Sequence, residues 1–179
     1  MNDWTALALQ ARDGDQLAAE AFIRASQQAV LDVCRHLGDP DNADDLAQEV
    51  YVRALRSLPR FRNDGSARAW LMTIARNTCA DAVRSRSRRR LRISPAELPD
   101  PGVPDRSGTV DNDLLLAALS PERREAMVLT QLVGLSYADA ARVIGVPIGT
   151  VRSRVARARG DLLEALREPD NGEVSADGG

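Results

Sequence analysis

One stretch near the middle of the chain limits the possible folds more than any other. "ISPAELPDPGVPDRSGTVDND", Ile93 to Asp113, holds four prolines and two glycines and shows little apolar periodicity. Proline removes amide donors and glycine loosens the backbone, so this stretch is expected to be a linker between two separately folded parts. A chain of 179 residues is long enough for two small domains, each burying a modest core. The expected division is a first domain over 1–91, a linker over 92–113, a second domain over 114–167 and a polar, glycine-rich disordered tail over 168–179.

Both folded parts carry helical patterns. Leu7 to Leu37 is rich in Ala, Leu and Gln, with apolar residues at Phe22, Ile23, Ala29, Val30 and Val33, and Gly14 is expected to split it into two helices. Asn42 to Leu58 places Leu46, Val50, Ala54 and Leu58 at helical spacing after Pro40, with Asp41 or Asn42 available as caps and Pro59 as the stop. "FRNDGS" reads as a turn. Ala67 to about Arg88 then predicts a further helix, with Trp70, Leu71, Ile74, Ala75, Thr78 and Val83 available for packing. No segment alternates as a strand would, so the expected fold is all-α, in two bundles.

Composition excludes several functions. Cys34 and Cys79 form no CxxC pair, and His36, the single histidine, has no partner at metal-ligand spacing, so all three are expected as core or surface filler. No glycine loop would cradle a phosphate, and no histidine is placed beside a nucleophile. An enzyme is therefore not supported, and neither a cofactor nor a metal is expected. No charged-then-apolar leader opens the chain and no apolar run would span a bilayer, so a cytosolic location with reduced thiols is expected, without membrane insertion.

The formal net charge of −2 conceals strong blocks. Asp39 to Glu49 carries five acids and no base, whereas Arg76 to Arg92 carries seven arginines against Asp81 alone. All 24 basic residues are arginine, a usage that a GC-rich coding bias explains without reference to function. Alternating blocks suggest several charged partners, or one large partner touched in several places.

In the C-terminal half the helix punctuation is dense. Ser120 can cap a helix that begins at Pro121 and is stopped by Gly134; Ser136 precedes a short helix, Tyr137 to Ile144; Gly145 makes a tight turn before a longer helix starting near Pro147 or Ile148. A short helix, a glycine turn and a more basic helix are the layout of a helix-turn-helix. Along the last helix Val151, Val155, Ala158 and Leu162 form the packing stripe. Arg152, Ser153, Ala156 and Arg157 fall on the other side, with Arg159 beside Arg152 and Arg154 nearer the packing edge. Arginines, a hydroxyl and a small methyl suit the major groove, where Arg pairs with guanine and alanine meets a thymine methyl. A solvated basic face on an ordinary bundle helix is the plain alternative, and repressors, activators and sigma factors all remain open at this point.

The two halves together carry a resemblance. "NADDLAQEVYVRALRSLPRF" (Asn42 to Phe61) and "ARAWLMTIARNTCADAVRSRSRR" (Ala67 to Arg89) resemble the first conserved domain of the extracytoplasmic-function (ECF) sigma factors of the sigma-70 family. "LSYADAARVIGVPIGTVRSRVARAR" (Leu135 to Arg159) resembles their second. The N-terminal "TALALQARDGDQLAAEAFIRASQ" is similar to an actinobacterial, sigma-C-like branch of that family.

The resemblance implies a dissociable subunit that brings core RNA polymerase to promoters and has no catalysis of its own. It assigns Asp44, Asp45, Leu46, Gln48 and Glu49 to the surface that binds the β′ coiled coil, the β subunit being a further contact; without the resemblance, a solvated helix face or a complement to the helix dipole is the plainer account of those acids. It assigns the loop Phe61, Arg62, Asn63 and Asp64, with Arg76, Asn77, Arg84 and Arg88, to single-stranded −10 DNA, where cations follow phosphates and a pocket receives an unstacked base. Trp70 is available for stacking but at this phase is expected in the core. Thr150, Arg152, Ser153, Ala156, Arg157 and Arg159 are assigned to duplex −35 DNA. The acidic linker corresponds to the family segment that threads the polymerase channel, with a featureless tether as the alternative. Anti-sigma factors commonly clamp both domains in the family. A free-standing helix-turn-helix regulator remains the rival class; the linker and the second basic helix argue against it.

Overall fold

The computed structural model describes residues 4–62, 65–92 and 112–167, and within these the fold is helical throughout. Four helices form the first bundle: α1 (Trp4–Arg12), α2 (Gln16–Leu37), α3 (Ala43–Ser57) and α4 (Ala67–Arg92). Four more follow: α5 (Asn112–Ala118), α6 (Pro121–Met127), α7 (Tyr137–Ile144) and α8 (Ile148–Ala165). Expectations for the middle of the linker and for the tail, over 93–111 and 168–179, lie outside the described residues, as do Asn63 and Asp64. The linker was expected to reach Asp113, yet α5 already starts at Asn112.

The first bundle is built around α2, which packs on α1, α3 and α4. Gly14 divides α1 from α2 as expected, at a φ of 102°. Asp15 then caps α2 by accepting a 3.1 Å hydrogen bond from the Ala18 amide. At the other end Gly38 is required by space: a Cβ there would lie 2.6 Å from the Cys34 carbonyl oxygen and 2.7 Å from a Leu46 methyl. The expected cap of α3 is not made. Asn42 instead donates its side-chain amide to Asp39 at 2.8 Å, and a 3-10 turn over Pro40–Asn42 leads into the helix.

Phe22, Val30, Val33, Val50, Ala54, Leu71 and Met72 form the heart of this core. Trp70 joins it, packing on Phe61 at 5.0 Å and Phe22 at 6.4 Å between ring centroids. Cys34 and Cys79 are fully buried and in contact with each other; their hydrogen bond and burial push the Cys34 thiol far above its ordinary range, which keeps it protonated and unreactive. His36 is tucked against α5, 3.7 Å from Asp113, and its burial lowers its affinity for a proton. Val83, expected to pack, is exposed, as is every described side chain from there to Arg88: past Asp81, α4 outruns the core.

In the second bundle α6 and α7 both pack on α8. Pro121 opens α6 after Ser120, whose hydroxyl makes no capping bond. The helix does not continue regularly to Gly134. Over Val128–Leu132 it widens into a π turn, in which the Val133 amide reaches the Val128 carbonyl at 3.0 Å. The buried Thr130 hydroxyl donates to the Ala126 carbonyl at 2.7 Å, competing with the regular ladder in that turn. Arg124 closes α5 by donating to the carbonyls of Leu116, Ala117 and Leu119 at 2.8, 2.6 and 3.0 Å. The bundles also meet each other, α4 against α7 and α2 against α6 and the π turn.

Candidate nucleic-acid and polymerase interfaces

The helix-turn-helix is cut by two local devices. Ser136 caps α7, accepting from the Asp139 amide at 3.0 Å. Gly145 ends it in the left-handed region, φ 80°, ψ 34°, with its amide bonded to the Ala141 carbonyl at 2.9 Å. The chain then turns directly into α8. Val151, Val155 and Ala158 are buried there and Leu162 half-buried, while Arg152, Ser153, Ala156, Arg157 and Arg159 are exposed. Thr150 and Arg154 are half-buried at the edges of that face. Arg152 and Arg157 have no protein partner among the described residues. Arg159 is different: its guanidinium donates to Gln131 Oε1 at 2.9 Å, which ties it back to the π turn. Ser153 donates to the Thr150 carbonyl at 2.9 Å, leaving its oxygen as an outward acceptor.

The arginines of α4 are largely engaged. Arg84 meets Asp81 at 2.6 Å, and Asp81 also receives Arg53 from α3 at 3.0 Å; these guanidiniums hold the Asp81 carboxyl below its ordinary range. Arg86 pairs with Asp39 at 2.6 Å. Arg76 reaches across to Glu125 of α6 at 2.6 Å, in a pair that is mostly buried. Asn77 and Arg88 are exposed. Phe61 buries its ring against Trp70, so it anchors the loop from below, and Arg62 beside it is exposed. Between this loop and α7 lies a cleft of about 280 Å³, lined by Phe61, Gly65, Ser66 and Trp70 on one side and by Arg142 and Val143 on the other.

On α3 the acids behave as a single face. Asp44, Asp45, Gln48 and Glu49 are all exposed, Leu46 is half-buried and Val50 fully buried. Asp44 and Asp45 sit in the first turn, where negative charge complements the helix dipole. Glu49 is held by Arg53 at 2.7 Å, one turn along. Nothing among the described residues groups three metal-ligating side chains, and no described helix is long and apolar enough to cross a membrane.

Sequence reasoning missed several residues that reach from one element to another. Glu125 lies inside α6 with no periodic signal marking it. Arg142 was hidden in the short helix before the glycine turn. Gln131 became a partner of Arg159 only through the π turn.

Comparison with known proteins places these faces in a family. Residues 22–89 match the model of sigma-70 region 2, and residues 113–162 match that of sigma-70 region 4. A probable RNA polymerase sigma-C factor of Mycobacterium bovis is 50% identical over 93% of this chain and 92% of its own. An RNA polymerase sigma-H factor of Pseudomonas aeruginosa is 33% identical over 86% of this chain and 89% of its own. Among solved structures, the sigma factor RpoE of Bartonella quintana, in complex with the anti-sigma factor NepR, superimposes with a TM-score of 0.72 at 31% identity, covering 84% of this chain and 97% of that one. CnrH, in complex with the cytosolic domain of CnrY, has the same TM-score at 29% identity, covering 94% and 100%. The chain belongs to the sigma-70 family of RNA polymerase sigma factors, in its ECF group. It is an alternative sigma factor, acting with core RNA polymerase and promoter DNA in promoter recognition and transcription initiation.

Proposed function

We propose that the chain divides this work among three helix faces. The acidic face of α3, Asp44, Asp45, Gln48 and Glu49 with Leu46 at its edge, docks on the β′ coiled coil of core polymerase. The flanks of the loop at Phe61–Arg62 and Gly65–Ser66, together with Arg76, Asn77, Arg84 and Arg88, take single-stranded −10 DNA; Asn63 and Asp64 belong to the same proposal on sequence alone. Arg152, Ser153, Ala156 and Arg157 of α8 read duplex −35 DNA, with Thr150 and Arg159 at the margins. The observation that carries this reading is α8 itself, whose uncommitted arginines lie opposite a fully buried apolar stripe, the arrangement a groove-reading helix needs.

The division into domains at 1–91 and 114–167 belongs to the same proposal, supported by matched segments that leave 90–112 between them. So do work in the cytoplasm beside the polymerase, the absence of any catalysis by the chain itself, and an anti-sigma protein as a further partner. The last is supported by a structural relative solved with an anti-sigma factor.

Pull-down of the purified chain with bacterial core RNA polymerase, wild type against Asp45→Arg, tests the docking face. Attraction between the acidic face and a basic partner steers and orients docking, so reversing one charge should weaken retention. Retention of both proteins to the same extent would remove α3 from the interface.

A further inference from the structure

α1 lies outside the segment matched by the region 2 model, which begins at residue 22, and its apolar face alone would explain why it packs on α2. Trp4 and Ala8 are buried, and the Trp4 ring meets Phe22 edge-on at 6.1 Å. Arg12 pairs with its neighbour Asp13 at 2.8 Å, but two further polar contacts of the helix need a different explanation, because they go to the two flanks of the loop assigned to −10 DNA. Arg12 Nη1 donates to the Phe61 carbonyl at 3.3 Å, on the entering side. Thr5 Oγ1 accepts from the Ala67 amide at 3.2 Å, on the leaving side. Ala67 opens α4, so its amide is one of the donors that a helix start leaves without an internal partner. Here the acceptor comes from a helix 62 residues away in sequence. The neighbouring Arg68 guanidinium rests over the Trp4 ring, 4.4 Å from its centroid.

Thr5 and Arg12 are two turns apart, on one face and separated by about 10 Å along the axis. A single rigid element therefore grips the loop where it leaves the core at Phe61 and where it re-enters it at Ala67. We infer that α1 is a positioning element for −10 recognition, with Arg12 and Thr5 setting the separation and pitch of the loop flanks that meet the DNA. This rests on the proposed reading of the loop. Flanks held at both ends are already in place when a base is taken up, so less entropy is lost on binding and a wrong base finds less room to adjust.

The test uses the full chain reconstituted with core polymerase. A promoter library randomised at both elements first yields a preferred template for the wild type. Transcription from that template and from its single-base −10 variants then gives a discrimination ratio. Thr5→Val, which keeps the shape and removes the acceptor, should lower that ratio about 2- to 10-fold, the range for one lost hydrogen bond. Thr5→Ser should keep it, and Arg12→Ala should behave like Thr5→Val. Core affinity and thermal midpoint, measured in parallel, show whether each variant is folded and docked. The inference is overturned if Thr5→Val and Arg12→Ala leave the ratio unchanged, or lower matched and mismatched templates equally. Arg62→Ala and Ser66→Ala on the flanks separate the two ideas. If they shift the ratio while the α1 variants do not, only the positioning role fails; if they also leave it unchanged, the reading of the loop fails with it.

Discussion

Arg152 and Arg157 stand on α8 without a protein partner among the described residues, whereas Arg159 is bonded to Gln131. The difference matters because a guanidinium must be free to pair in a fork with a guanine edge. Arg152→Ala and Arg157→Ala should each weaken binding to promoter duplex by about 1–3 kcal/mol, with a smaller loss on DNA whose −35 sequence is scrambled. Equal losses on both DNAs in a titration would reduce these side chains to phosphate contacts. At this scale the helical phase of Val151, Val155 and Ala158 was legible in the sequence, and the exposed face followed from it. The engagement of Arg159 was not legible, because Gln131 reaches it from another element.

At the scale of elements, the helix-turn-helix depends on one backbone conformation. Gly145 sits at φ 80°, and a Cβ there would have no heavy atom within 4 Å apart from its chain neighbours, so the cost of a side chain is conformational alone. Gly145→Ala should therefore destabilise the protein by about 1–2 kcal/mol, read by thermal or urea unfolding. Gly145→Asn should cost less, since asparagine tolerates the left-handed region better. An alanine variant as stable as the wild type would mean that the turn relaxes to another geometry. Helix starts that rest on a side chain and a nearby amide, such as Ser136, could be anticipated. At Asn42 a 3-10 turn leads into the helix and the side chain bonds to Asp39 instead, the Ser120 hydroxyl makes no capping bond, and the π turn after α6, where the buried Thr130 hydroxyl bonds back to Ala126, has no counterpart in the local sequence pattern.

Across the whole molecule, the Arg76–Glu125 pair makes α4 and α6 partners of one another, and the cleft beside the loop is closed on one side by Arg142 and Val143 of α7. In this arrangement the Arg76 Nε is committed to Glu125, whose carboxylate competes with a phosphate for the guanidinium. Removing that competitor's charge in Glu125→Gln should tighten binding of a −10 single-stranded oligonucleotide by about 2- to 10-fold, measured by fluorescence anisotropy with the full chain. An unchanged affinity would mean that Arg76 takes no part in holding the strand.

Local periodicity and punctuation were enough to set the all-α class, the two bundles and the faces of α3 and α8, because helical phase, helix stops and charge runs are properties of neighbours in sequence. The contacts of Arg12 with Phe61, Thr5 with Ala67 and Arg76 with Glu125 join residues 49 to 62 positions apart. No local pattern encodes them. They exist because helices that bury their apolar faces against one another bring the remaining polar groups into reach, and only the packed structure decides which groups those are.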